Sequence, residues 1–344
     1  MARSSFATIL TDSGTDITDD LRPHLLSVEV TQRLHGRADE VSIKLEDREG
    51  DWVGDLKPEP GDRIRVRFEL TDWREEGDDR QIDWGAFEID KVRLTGPPST
   101  VDIGAQSAYV TRSMRQQKRT QGWEQATLKE IAGEIASRHD LELRYTAGRV
   151  PKHDRLDQTS TPDLRFLSQQ CKRWNLRCRV DDERLIVASD PELVELEDPV
   201  RRTAQADGDL LACTRYELEE RTYSLARKST LSYDDPVENE SIQRTVEDTA
   251  APDSGETKTI NERVRSPRQA ELRAAGALEW HNKEQFTASV SVPGRPQLRP
   301  GFVVPLEGFE RFDGPYAIDE ASHSISRNGY QTTATIRKRR DPLI

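Results

Sequence analysis

Apolar and polar residues alternate through the first third of the chain, which is the period-two signature of strands with one buried face. The alternation is visible at residues 6–10, 26–30, 41–45, 64–70, 87–94 and 101–103, with turn-prone residues between them at barrel-like spacing. The period then lengthens. Thr127-Leu128-Lys129-Glu130 has the form of a capping box, and Leu128, Ile131, Ala132 and Ile135 make the stripe of an amphipathic helix ending near His139. Residues 141–145 read as strand, and Thr161-Pro162 opens a second helix whose Leu164, Leu167, Cys171 and Trp174 share one face. A hairpin follows at 177–188, turning at Asp181-Asp182. Strands return at 214–218 and 226–233, residues 247–258 read as a polar, mobile loop, and Ser266-Pro267-Arg268-Gln269 caps a helix running to about Asn282. The expected class is mainly β with some α. Its parts are a β unit over 1–110, a small α/β unit over 111–198 and a second β unit over 199–344.

The two β units share a motif. The first has Pro60-Gly61 leading into a strand with Ile64 and Val66, then Gly85, Phe87, Ile89 and Asp90 on the next strand. The second has Pro300-Gly301, then Val303, then Gly314, Tyr316, Ile318 and Asp319. Pro-Gly fixes one φ and frees the next, so each copy delivers the chain into a strand through a turn. Asp313-Gly314 is a favoured hairpin turn. Each copy is preceded by an alternating strand, at 41–45 and 286–292. The copies differ in the middle, where the first carries an insert over about 71–82. Trp73, Glu75, Glu76, Asp78 and Asp79 mark that insert as a charged loop tip, a candidate docking element with an exposed tryptophan.

Composition narrows the function classes. The chain has 344 residues, 34% hydrophobic and 33% charged, with a net charge of −12. That balance argues against nucleic acid as a tight surface partner, which needs clustered positive charge. Cys171, Cys178 and Cys213 give neither a disulfide framework nor a zinc pattern. The N-terminus lacks the uninterrupted apolar core of a signal peptide, and no stretch is long enough to span a membrane. Synthesis in a cytoplasm without a cleaved signal is the expectation. No phosphate loop, nucleophile elbow or zinc-protease motif occurs, and the six histidines are scattered singly. His139-Asp140 reads as a dipole partner at a helix end, and His153-Asp154 as a solvated turn. No catalytic, cofactor or metal site is therefore expected.

The order of these segments resembles the late control gene D family, the tail hub proteins of contractile-tailed phages, pyocins and related injection machines. The resemblance is carried by T-L-K-E-I-A-G-E-I-A, T-P-D-L-R-F-L-S-Q-Q-C, residues 270–278, R-P-Q-L-R-P-G-F-V-V-P-L-E-G, G-P-Y-A-I-D-E-A-S-H-S-I and the closing G-Y-Q-T-T-A-T-I-R-K-R-R. It implies two tube-like β-barrels in one chain with an inserted α/β unit of LysM-like character. It implies a homotrimer at the tail baseplate, made in the bacterial host cytoplasm, with tail tube, wedge and possible tape-measure partners and a spike on a separate chain. Three chains with two equivalent barrels each present six similar units, so the ring can adapt a sixfold tube to a threefold spike. The LysM-like unit also suggests an alternative, a peptidoglycan-binding or wall-degrading module, with Trp123 and Trp174 as candidates for sugar stacking.

Overall fold

The computed structural model describes residues 3–48, 50, 58–205, 209–235, 240–253 and 256–344. Six strands open the chain, β1 (Ser4–Thr11), β2 (Leu25–Arg33), β3 (Glu40–Glu46), β4 (Arg63–Thr71), β5 (Arg80–Thr95) and β6 (Thr100–Ser107). A short helix, α1 (Thr18–Leu21), follows β1. The strands pair antiparallel in the order β1-β4-β5-β6-β3-β2. Alternation decides the faces. In β4, Ile64, Val66, Phe68 and Leu70 are buried in one apolar cluster, and the arginines between them are more exposed.

The middle of the chain holds α2 (Arg112–Gln116), β7 (Lys118–Thr127), α3 (Leu128–Arg138), β8 (Glu142–Tyr145), β9 (Lys152–Pro162), α4 (Asp163–Arg173), β10 (Arg177–Asp181) and β11 (Arg184–Ala188). It uses one device twice. Strands β7 and β9 pair with each other, and each runs straight into a helix through a residue of positive φ, Gln125 or Ser160. Each helix then ends on another such residue, Asp140 or Asn175. That conformation turns the next amide back onto the helix, Leu141 N–H to the Ala136 carbonyl at 3.0 Å and Leu176 N–H to Cys171 at 2.8 Å. The capping box of α3 is complete. The Glu130 N–H donates to Thr127 Oγ1 at 3.2 Å, and the Thr127 N–H donates to the Glu130 carboxylate at 2.7 Å. The second cap falls on Pro162 rather than Thr161 and has no side-chain bond, because the proline ring carries no acceptor.

The rest comprises β12 (Val194–Glu195), β13 (Val200–Arg201), β14 (Arg215–Glu220), β15 (Ala226–Asp235), β16 (Glu240–Glu247), β17 (Glu256–Asn261), α5 (Pro267–Asn282), β18 (Phe286–Pro293), β19 (Phe302–Glu307), β20 (Gly314–Ser326) and β21 (Gly329–Lys338). Strands β15 to β17 form a separate three-stranded sheet, and α5 covers it through Ala270, Ala274, Ala275 and Leu278. The polar stretch expected to be a loop is therefore partly strand, at Glu247 and at 256–258; its Ser254 and Gly255 lie outside the described residues. The cap of α5 is as expected, with Ser266 Oγ accepting from the Gln269 N–H at 3.2 Å. The remaining strands run β19-β20-β21-β18-β14, with β12 and β13 on the free edge of β19. Because β20 also pairs with β2, the two halves merge into one 13-stranded sheet. Among the described residues no helix is long and apolar enough to cross a membrane.

Candidate assembly interface

Placed side by side, the two β units have the same strand order. The order β2-β3-β6-β5-β4 in the first is matched by β14-β18-β21-β20-β19 in the second. The register matches as well. Ile64 lies opposite Phe87, and Val304 lies opposite Tyr316. Val41 lies opposite Ala105, and Ala288 opposite Ile336. The β5–β6 ladder slips by one residue after Ile89, and the β20–β21 ladder slips after Ile318, so Asp90 and Asp319 are the bulged residues of their copies. Gly61 and Gly301, which follow the prolines, have φ of +106° and +95°. The side chains Ile64, Val66, Phe87 and Ile89 fill one core, and Tyr316 and Ile318 fill another. Val303 does not join them. The counterpart of Ile64 in the second copy is Val304, one residue on, and Val303 faces the opposite way against Ala188, Leu193 and Ala317. A one-residue step in a strand reverses the face.

The joint between the units is aromatic. Trp84 lies against His323 with ring centroids 4.5 Å apart, Phe68 against Tyr330 at 5.5 Å, and Trp73 against Tyr330 at 5.5 Å. Trp73, expected to be an exposed docking residue, is 5% exposed, and its Nε1–H donates to the Gly294 carbonyl at 2.7 Å. The insert thus folds back and anchors the first unit to the second. Its tip, Glu75, Glu76 and Asp79, remains exposed, while Asp78 is half-buried and accepts from Arg80. His323 is fully buried, accepts from Tyr330 Oη–H at Nδ1 and donates from Nε2 to the Leu298 carbonyl. Burial, with help from the Arg299 charge, pushes its pKa down to about 3, so the ring is neutral.

A buried charge network ties the middle unit to the second β unit. Arg337 makes two bonds of 2.6 Å to the Asp190 carboxylate and one of 3.0 Å to Asp319, and Arg177 reaches Asp190 at 3.2 Å. Burial opposes the charge on Asp190, but Arg177 and Arg337 outweigh it and hold the carboxyl well below the usual range. Sequence alone marked Asp319, as part of the repeat, but not Arg177, Asp190 or Arg337. Arg337 stands in a basic run at the chain end, and nothing local separates a buried arginine from a solvated one.

The middle unit was the place to look for chemistry. His139 is buried, with Nε2 2.9 Å from Asp163 Oδ2 and Nδ1 3.2 Å from Ser113 Oγ. The line resembles a nucleophile triad, but Asp163 also accepts from Arg138 at 2.9 Å and Gln158 at 2.8 Å. With the carboxylate so engaged, His139 joins the end of α3 to the start of α4. It is a buried bridge rather than the dipole partner expected. His153 is in β9, half-buried, rather than in a turn. Trp123 and Trp174 are both buried, Trp123 stacked on Phe166 at 5.3 Å, so neither face is open to a sugar ring. Among the described residues no cluster of three metal-ligating side chains occurs.

No family model matches the chain. It is 28% identical over 169 residues to a protein of Escherichia phage 186 named as a probable baseplate hub protein, covering 48% of this chain and 41% of that one. It is 30% identical over 159 residues to the protein of the same name from Escherichia phage P2, covering 46% of this chain and 38% of the other. The matches thus span less than half the length of these relatives. A tail protein of Neisseria meningitidis MC58 superposes with a TM-score of 0.70 at 13% identity, over 97% of both chains. An Escherichia coli component of the type VI secretion system superposes with a TM-score of 0.56 at 13% identity, over 93% of this chain and 74% of its own. Similarity in sequence over nearly half the chain and in fold over nearly all of it agree: the chain is similar in sequence to phage proteins named as probable baseplate hub proteins and shares the fold of a phage-type tail protein and of a type VI secretion component.

Proposed function

We propose that this chain is a structural baseplate hub that assembles as a homotrimer, joins a sixfold tail tube to a threefold spike and lines the central channel. The observation that carries the reading is the shared strand order and register of the two β units, with the bulge at Asp90 and Asp319 in both. One tube-like barrel design used twice gives three chains six similar faces, which is what a symmetry adaptor requires. The 60–94 and 300–325 hairpins then form the inner wall, and the LysM-like middle unit with the β15–β17 sheet lies on the periphery. The spike, the tail tube, the wedges and the tape measure are the partners. The exposed carboxylates at 75, 76 and 79 are the contact to one of them, and reversing them abolishes that contact while sparing the trimer. The net charge of −12 favours an acidic channel past which DNA or an ejected protein slides.

Mass measurement by light scattering, with electron-microscopic class averages, tests the reading. Rings of three chains with a six-lobed outline are expected. Rings of four, or a chain that stays single at high concentration, overturn it. The peptidoglycan reading has no observation in its favour, since Trp123 and Trp174 are both occupied inside the core. A zymogram on purified peptidoglycan is expected to show no clearing.

A further inference from the structure

The joint between the two units predicts the joint between two chains. Within the chain, β2 of the first unit pairs with the second half of β20, Ser27 to Arg33 running against Ser326 to Glu320. The shared register turns this into a complementary statement. The counterpart of β2 is β14, and the counterpart of the second half of β20 is the second half of β5. Both counterparts are bare edges. Strand β14 ends the sheet and, among the described residues, pairs only with β18. Strand β5 pairs with β4 only as far as Glu88, which leaves one side of Asp90 to Thr95 without a strand among the described residues.

Burial tells the same story residue by residue. His323 and Ala321 are 0% exposed beneath β2, whereas their counterparts are Leu94, 54% exposed, and Val92, half-buried. Val28 and Val30 of β2 are buried at 0% and 1%, whereas their counterparts are Tyr216, 42% exposed, and Leu218, half-buried. An open edge with exposed apolar residues is a site for strand addition.

We infer that β14 of one chain adds to the second half of β5 of the next copy, repeating the β2–β20 ladder between subunits. Carrying the register across places Leu218 opposite Leu94, Glu219 opposite Arg93, Glu217 opposite Thr95 and Glu220 opposite Val92. Leu218, Tyr216 and the Val92–Leu94 hairpin arm close the open core of the second unit, as Ile325 and Tyr330 complete the first core. Charges on the other face agree. The edge of β14 carries Glu217 and Glu219, the latter held by its neighbour Arg221 at 2.9 Å, and the edge of β5 carries Lys91 and Arg93, which have no carboxylate within ion-pair distance among the described residues. Opposite charges on directly facing residues favour this register, and a two-residue slip would break the Leu–Leu match. The contact is head-to-tail, so identical copies close into a ring or grow as a filament. Closure at three rests on the hub reading.

Cross-linking tests the register. Leu94→Cys and Leu218→Cys are combined in one chain on a Cys213→Ser background and oxidised. Facing residues of an antiparallel pair have Cα atoms about 4.5–5.5 Å apart, within disulfide reach. The two positions lie on separate edges of one chain, so only a neighbour can supply the partner. Covalent trimers are expected on a non-reducing gel, and each single variant stays unlinked. As a second measurement, Arg93→Glu and Glu219→Arg each weaken assembly at least tenfold, and the double reversal restores it. Trimers by mass with no cross-link, and no response to the reversals, overturn the edge pairing and leave the hub reading standing. A covalent ladder beyond three keeps the edge pairing and overturns threefold closure.

Discussion

Replacing Trp73 by alanine separates two roles for the insert. An exposed docking residue contributes little to folding, within about 0.5 kcal/mol on substitution. The observed side chain is 5% exposed, lies against Tyr330 at 5.5 Å and donates to the Gly294 carbonyl at 2.7 Å. Truncating a buried tryptophan to alanine costs about 3–5 kcal/mol, through lost transfer energy and the cavity left behind. Trp73→Phe keeps most of the ring but removes the donor, and a carbonyl left without its partner costs about 1–3 kcal/mol. Against a typical total of about 5–15 kcal/mol, the alanine variant forfeits a large share of the stability of the joint. Urea unfolding followed by far-ultraviolet circular dichroism is the assay, with Glu75→Lys/Glu76→Lys as a surface control expected to stay near the parent. The expected order is parent and control, then Trp73→Phe, then Trp73→Ala. An alanine variant within 0.5 kcal/mol of the parent would refute the anchoring role and return Trp73 to the surface.

Three further outcomes follow from the same geometry. Asp190→Asn leaves Arg337 and Arg177 buried with half their compensation and should cost about 3–5 kcal/mol by denaturant midpoint, whereas a loss below 1 kcal/mol would mean the network is solvated. His323 is neutral when folded, with a pKa near 3, but takes a proton near pH 6.5 when unfolded, so its contribution is whole above pH 6.5 and falls as the pH drops from there towards 3. By pH 4.5 the loss is on the order of 3 kcal/mol, and His323→Gln should flatten the pH dependence of the urea midpoint; equal slopes in parent and variant would contradict it. A Cβ on Gly294 would sit 1.9 Å from Tyr330 Cδ1, so Gly294→Ala should destabilise by about 1–3 kcal/mol, and a melting temperature equal to the parent's would show that the ring yields freely.

Much of the fold was legible wherever a local rule decides the conformation. The alternation in β4 and β5, the capping box at Thr127 and the Ser266 cap all depend on neighbours a few residues away. The repeated Pro-Gly and Ile-Asp pattern was legible too, because a turn and a bulge each demand particular residues at particular spacings. Strands β7, β9, β16 and β17 escaped notice because they are short of apolar residues, and a strand with one wet face and a helix over the other needs few. Trp73 misled because an aromatic on a charged loop looks exposed until something distant covers it.

What the chain carries in its own order is the list of elements and the use of one motif twice. What it leaves to the tertiary structure is which edges meet. Whether β2 joins β20, whether Arg337 finds Asp190 and whether Trp73 reaches Gly294 depend on residues more than a hundred positions apart. Backbone edges offer the same hydrogen bonds to any strand, so local sequence does not choose among them. The choice comes from the summed burial of both faces, which exists only once the whole sheet is assembled.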